Sequence, residues 1–127
     1  MKKEINSQDA PEPIGPYSQA ILSNGLLFVS GQIAIDRSTG QLIQDSIVSE
    51  THQVMKNLQS ILHEAHTDFN QVLKCTIFLK SMEDFSQVNE VYGSYLSDPA
   101  PARETVAVST LPKNVNVEIS CIASVEN

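Results

Sequence analysis

Basic residues are scarce in this chain. Eight Lys and Arg stand against fifteen Asp and Glu, for a formal net charge of −7. Binding phosphate backbones over a broad surface runs on clustered cations, so nucleic acid is not an expected partner, although a small basic pocket remains allowed. Long apolar runs are also missing. None approaches the ~20 residues needed to span a bilayer, and the opening Met1-Lys2-Lys3-Glu4-Ile5-Asn6-Ser7 has no apolar segment to act as a secretory signal. A cytoplasmic protein with no membrane partner is the expectation. Only two cysteines occur, Cys75 and Cys121, far apart in segments that look like strand interiors. That pattern suits buried reduced thiols and excludes a secreted disulfide framework. Glycine is sparse and scattered. Gly25, Gly31 and Gly40 form neither a phosphate loop nor a dinucleotide fingerprint, and Ser30-Gly31 lacks the pattern of a nucleophile elbow, so no cofactor is expected.

What is present fits one ordinary globular domain over residues 1–127. Apolar residues make up 41% of the chain, and no repeat, low-complexity tract or Gly/Ser linker divides it. At this length folding buries about two-thirds of the unfolded chain's surface, enough for a core without metal or disulfide staples. Pro11, Pro13 and Pro16 with Gly15 predict an extended lead-in. Then Tyr17 to Ser23, Asn24-Gly25 and Leu26 to Ile33 give the strongest short-range signal for a hairpin with a two-residue turn. If Ser23 faces Leu26, Ser18 falls opposite Gly31 and Tyr17 opposite Gln32, which makes Tyr17, Ser30 and Gly31 neighbours. Asp36-Arg37-Ser38-Thr39-Gly40 is a second turn.

Ile47, Thr51, Val54, Met55, Leu58, Ile61, Leu62 and Ala65 recur at helical steps, with Asp45 or Ser46 as the N-cap. Val72 to Leu79 has strand composition with apolar residues on both faces. Ser81-x-x-Asp84 opens a second helix marked by Phe85, Val88, Val91, Tyr92, Tyr95 and Leu96, which Pro99 and Pro101 should end. Strands over 104–109 and 115–125 complete the pattern. In the last, Val115, Val117, Ile119, Cys121, Ala123 and Val125 share one face, so Glu118 lies off the core. The order predicts a two-layer α+β domain, a mixed six-stranded sheet with two helices on one face. Strands apolar on both sides predict that other copies of the chain cover the second face.

His63, His66 and Asp68 do not make a persuasive metal set. With His52, Lys56 and Gln59, the two histidines form the stripe opposite the first helix's apolar face, so no metal is expected. A nucleophilic Cys75 or Cys121 would need an electropositive, partly exposed setting that nothing local provides. Four polar residues fit a core poorly: Tyr17, Ser30 beside Gly31, Arg103 after Pro101-Ala102, and Glu118 in an otherwise apolar strand.

Gly15-Pro16-Tyr17-Ser18-Gln19-Ala20, Ser30-Gly31-Gln32-Ile33, Thr39-Gly40, Asn57-Leu58, Val88-Asn89-x-x-Tyr92, Pro101-Ala102-Arg103, Leu111-Pro112 and Val117-Glu118-Ile119 resemble the RidA (YjgF) family of reactive-intermediate, or enamine/imine, deaminases. The resemblance covers nearly the whole chain. It implies a chorismate-mutase-like fold, a homotrimer with active sites between subunits, and cofactor-free hydrolysis of 2-imino acids to 2-keto acids and ammonia. The imino acids arise from enamines released by pyridoxal-phosphate enzymes, and the implied role is metabolite damage control. By the same resemblance Arg103 would hold the substrate carboxylate and Glu118 would activate water. Tyr17, Ser30, Gly31, Asn89 and Thr105 would bind substrate, Thr105 through a backbone carbonyl where relatives often carry Cys. The loop 97–103 looks about three residues shorter than in many relatives, and Ala100 replaces an aromatic, which suggests a changed pocket wall. Two other classes compete. A non-catalytic trimer binding small carboxylates such as 2-keto acids could regulate a partner protein, again through Arg103. Ribonuclease activity is attached to some relatives, but the acidic balance and the lack of paired histidines argue against it.

Overall fold

A computed structural model describes residues 1–126 of the chain. Its first strand, β1 (Lys3–Ile5), precedes the proline-rich lead-in and pairs antiparallel with β2 (Ala20–Ser23). The prolines hid it, since they make the whole lead-in read as irregular. Asn24 and Gly25 both take positive φ, 53° and 74°, as a tight hairpin turn between right-twisted strands requires. They join β2 to β3 (Leu26–Gln32) in the expected register, with Ser23 opposite Leu26 and Ala20 opposite Val29. The ladder stops at Ala20 rather than running to Tyr17, although the Ser30 N–H still donates to Gln19 O at 2.9 Å. The Asp36–Gly40 turn closes a separate two-stranded ribbon of β4 (Ile35–Asp36) and β5 (Gln41–Leu42).

Helix α1 (Ile47–Glu64) starts at Ser46, whose Oγ accepts the Ser49 N–H and so satisfies one of the free donors of the first turn. Its buried stripe includes Thr51, Val54, Met55, Leu58, Ile61 and Leu62. Strand β6 (Val72–Leu79) follows, then a 3₁₀ turn (Met82–Asp84) capped by Ser81, then α2 (Phe85–Gly93). The prolines do not end α2. At Gly93, a poor helix former, the bonding tightens to the three-residue pattern, with Tyr95 N–H donating to Tyr92 O and Leu96 N–H to Gly93 O. Strands β7 (Ala102–Ala107) and β8 (Val117–Ser124) flank a 3₁₀ turn over Pro112–Asn114, where Lys113 and Asn114 have φ of 54° and 56°.

The six-stranded sheet has the order β1-β2-β3-β8-β6-β7, antiparallel except for β6–β7, which α2 connects as a crossover. One face packs Leu27, Val29, Cys75, Ile77, Leu79, Val117, Ile119 and Cys121 into the core beneath the helices. This is the two-layer α+β arrangement the sequence implies. Cys75 and Cys121 are free, buried and directly opposite one another. The other face carries Phe28 and Val106, each 45% exposed, with Phe78 and Ile122 half-buried. No helix among the described residues is long and apolar enough to cross a membrane.

Three buried polar side chains fasten loops to this frame. Gln19 accepts the Ser7 N–H at 2.7 Å, and its amide nitrogen faces the carbonyls of Ser7, Ala10 and Pro11 at 3.0 to 3.3 Å. Asn57 donates from α1 to the carbonyls of Ile33 and Ile35. Glu50, fully buried on α1, accepts from the Asn116 N–H and the Asn116 carboxamide, both at 2.8 Å. A buried carboxylate persists only where such donors compensate its desolvation.

Candidate active site

Between Val29 and Gln32 the pairing of β3 with β8 slips by one residue. Val29 faces Cys121 and Gln32 faces Ile119, so Ser30 and Gly31 together oppose Ser120 alone. This bulge lets both flanking residues keep their core side while the surplus residue brings the backbone of Gly31 against Glu118. A β-carbon built on Gly31 would stand 2.7 Å from both Cδ and Oε2 of Glu118, a separation that real contacts never show. Only glycine leaves room for the carboxylate.

Ser30 is fixed from the other side. Its hydroxyl donates to Ser18 O at 2.7 Å, leaving the oxygen lone pairs for a further donor. Tyr17, 48% exposed, turns its ring back so that its hydroxyl accepts the Ile14 N–H at 3.3 Å. Tyr17, Ser30, Gly31 and Glu118, with Ile14, Ile33 and Pro112, line one cleft of about 340 Å³. The neighbours expected from the hairpin register are therefore together, and Glu118 joins them from β8. A roomier hollow of about 460 Å³ between Pro11, Arg37, Leu42 and Lys113 shares Ile14 with the cleft but holds none of these four residues. Glu118 is half-buried, and desolvation raises its pKa above the ordinary glutamate value.

Arg103 lies elsewhere. It pairs with Cys75 on the edge strand β7, and Cys75 points into the helix-covered core. Glu118 pairs with Phe78, on the opposite, open face. The two expected catalytic side chains thus occupy opposite faces of one sheet. Asn89, expected against substrate, accepts from Arg103 Nη1 at 2.5 Å, which joins these two expected site residues. Thr105 shares the helix-side face with Arg103, opposite Ile77, and its hydroxyl is buried with no hydrogen-bond partner among the described residues. His63 and His66 are exposed, while His52 Nδ1 lies 2.8 Å from the Tyr95 hydroxyl.

Sequence reasoning missed Gln19, Glu50 and Asn57 as anchors of the site's walls. Glu50 had a signal, being four residues before Val54 on the apolar stripe of α1, where an unpaired carboxylate would be costly. Gln19 stands in the Gly15–Ala20 motif, but its partners lie in an aperiodic segment that gives its anchoring role no signal.

Known proteins resemble the chain along nearly all its length. The sequence model of a family described as Endoribonuclease L-PSP matches residues 7–125. A Lactococcus lactis protein provisionally named regulator AldR is 50% identical over 125 residues, covering 98% of this chain and 99% of its own. The mouse 2-iminobutanoate/2-iminopropanoate deaminase is 44% identical over 123 residues, covering 97% of this chain and 91% of its own. The crystal structure of RidA from the Antarctic bacterium Psychrobacter superposes with a TM-score of 0.93 at 35% identity, over 97% of this chain and 99% of that one. On sequence and on fold, the chain belongs to the RidA (YjgF) family.

Proposed function

We propose that the protein hydrolyses short 2-imino acids to 2-keto acids and ammonia, without a cofactor, at sites shared between subunits of a homotrimer. The observation that carries this reading is the desolvated Glu118 carboxylate held over Gly31 in the cleft with Ser30 and Tyr17. The mouse relative named as an imine deaminase supports it.

The reaction asks for little machinery, since the carbon of a protonated imine is already electrophilic. Glu118 takes a proton from a water as the oxygen of that water bonds to the imine carbon. The resulting carbinolamine then expels ammonia, the nitrogen taking up the proton and the oxygen giving up its own to form the ketone. A positioned base contributes about 10²–10⁴-fold, and holding the reactants together supplies much of the rest. Arg103 binds the substrate carboxylate, for which a planar guanidinium offers two parallel donors. Because Arg103 and Glu118 face opposite sides of one sheet, the Arg comes from a neighbouring subunit. Phe28, Phe78, Val106 and Ile122 on the open face supply the apolar surface such an assembly would bury. The Thr105 backbone carbonyl and the Ser30 hydroxyl complete the pocket.

The test generates 2-imino acids from alanine, leucine and methionine in situ with an amino-acid oxidase and follows imine decay and keto-acid release. The expected result is faster decay with the wild type and none beyond buffer with Arg103→Ala or Glu118→Ala. Normal activity in Arg103→Ala, or a wild type indistinguishable from buffer, would sink the reading. The name of the Lactococcus relative favours a second one, a non-catalytic regulator that binds 2-keto acids through Arg103. The two separate at Glu118, whose removal abolishes turnover in the first and leaves keto-acid affinity intact in the second.

A further inference from the structure

Arg103 does not hang freely from its edge strand. Its Cζ lies 5.4 Å from the centre of the Tyr92 ring and 5.7 Å from that of Phe85. Both separations fall inside the ~6 Å within which an aromatic face attracts a cation. With Asn89, which accepts from Nη1, the two rings occupy positions 85, 89 and 92. At 3.6 residues per turn these form one stripe of α2, and that stripe faces the guanidinium. The apolar periodicity marks Phe85 and Tyr92 as core, and Tyr92 is indeed buried, its hydroxyl inward beside the Cys75 thiol. Their rings have a second neighbour in Arg103.

A free arginine has many rotamers, and binding a carboxylate in one of them costs that freedom. Here the rings hold the guanidinium plane and Asn89 occupies one of its five N–H donors, leaving the others for a ligand. We propose that Phe85 and Tyr92 are positioning residues, an aromatic cradle that fixes Arg103 in its binding rotamer. The cradle sets affinity for the substrate carboxylate and leaves the attack of water untouched. This rests on the reading of Arg103 as the carboxylate anchor.

Three variants test it, Phe85→Leu, Tyr92→Leu and Tyr92→Phe, each in the full-length protein. Two readouts are used: steady-state kinetics on the leucine-derived imine, and the NMR signal of the Arg103 Nε–H without ligand. Losing either ring should raise KM about 2- to 5-fold with kcat unchanged, as expected for one lost cation–π contact to an exposed guanidinium. Tyr92→Phe keeps the ring and should match the wild type. The Arg103 Nε–H should be ordered in wild type and Tyr92→Phe, and mobile in the two Leu variants. Unchanged KM in Phe85→Leu, a fall in kcat at constant KM, or equal damage from Tyr92→Phe and Tyr92→Leu would overturn the proposal. Should Tyr92→Leu fail to fold, Phe85→Leu, on the half-buried ring, carries the test alone. A wild type without turnover or 2-ketobutyrate binding would defeat the carboxylate reading itself. The Arg103 signal still judges the cradle then, because unchanged order in Phe85→Leu refutes it.

Discussion

Gly31 and Glu118 are packed so closely that the glycine's missing side chain is the space the carboxylate occupies, 2.7 Å from where a β-carbon would stand. Gly31→Ala should therefore displace Glu118 rather than break the sheet, because the obstructed atoms are the movable end of a side chain. We expect kcat to fall about 10- to 100-fold, the cost of moving a catalytic group by around an ångström, with little change in thermal midpoint. Turnover and melting of the same preparation decide it, and a collapsed midpoint would show that the contact serves the fold instead.

The raised pKa of Glu118 ties activity and stability to pH. A base must be ionised, so the rate should rise with pH through an inflection above 4.5, the ordinary glutamate value. Stability moves the other way. The folded carboxyl binds its proton more tightly than the unfolded one, so folding is favoured at low pH and loses that contribution as pH rises through the folded pKa. Glu118→Gln removes the penalty, so the variant should melt above the wild type at pH 7 and converge with it in acid. A variant less stable at pH 7 would contradict the sign.

Opposite faces for Arg103 and Glu118 predict complementation. In the proposed homotrimer, co-expressed Arg103→Ala and Glu118→Ala chains, each expected to be inactive alone, should recover about a quarter of wild-type activity on random mixing, the fraction of interfaces that meet with both intact residues. Purified mixed assemblies measured against each parent give the answer. No recovery would mean that the two residues serve one chain.

Glu50 holds the start of β8 two residues before Glu118. Glu50→Ala leaves the Asn116 N–H and carboxamide without their acceptors, which should cost about 2–5 kcal/mol by urea denaturation. A loss under 1 kcal/mol would show that water replaces the carboxylate.

The hairpin arithmetic around Asn24-Gly25 was enough to bring Tyr17, Ser30 and Gly31 together, and the alternation of β8 was enough to turn Glu118 off the core. The side of Arg103 was not legible. The β7 sequence Ala-Arg-Glu-Thr-Val-Ala has no apolar alternation, and only its parallel register with Cys75 and Ile77 decides which way each residue points. The bulge was hidden for a similar reason. It exists only as a mismatch between β3 and β8, strands 85 positions apart in the chain. Apolar pattern also named Phe85 and Tyr92 as core without revealing what their outer surfaces touch.

That mismatch has a consequence of its own. Along β3 the site depends on how many residues lie between Val29 and Gln32, and not solely on which residues they are. Deleting Gly31 would return the strand to strict alternation while leaving Glu118, Arg103, Ser30 and Tyr17 in the sequence. Ser30 would then oppose Ser120 alone, and the hollow over Glu118 would be lost. In this protein the candidate pocket is written partly in chain length, as one unpaired step in an otherwise regular count.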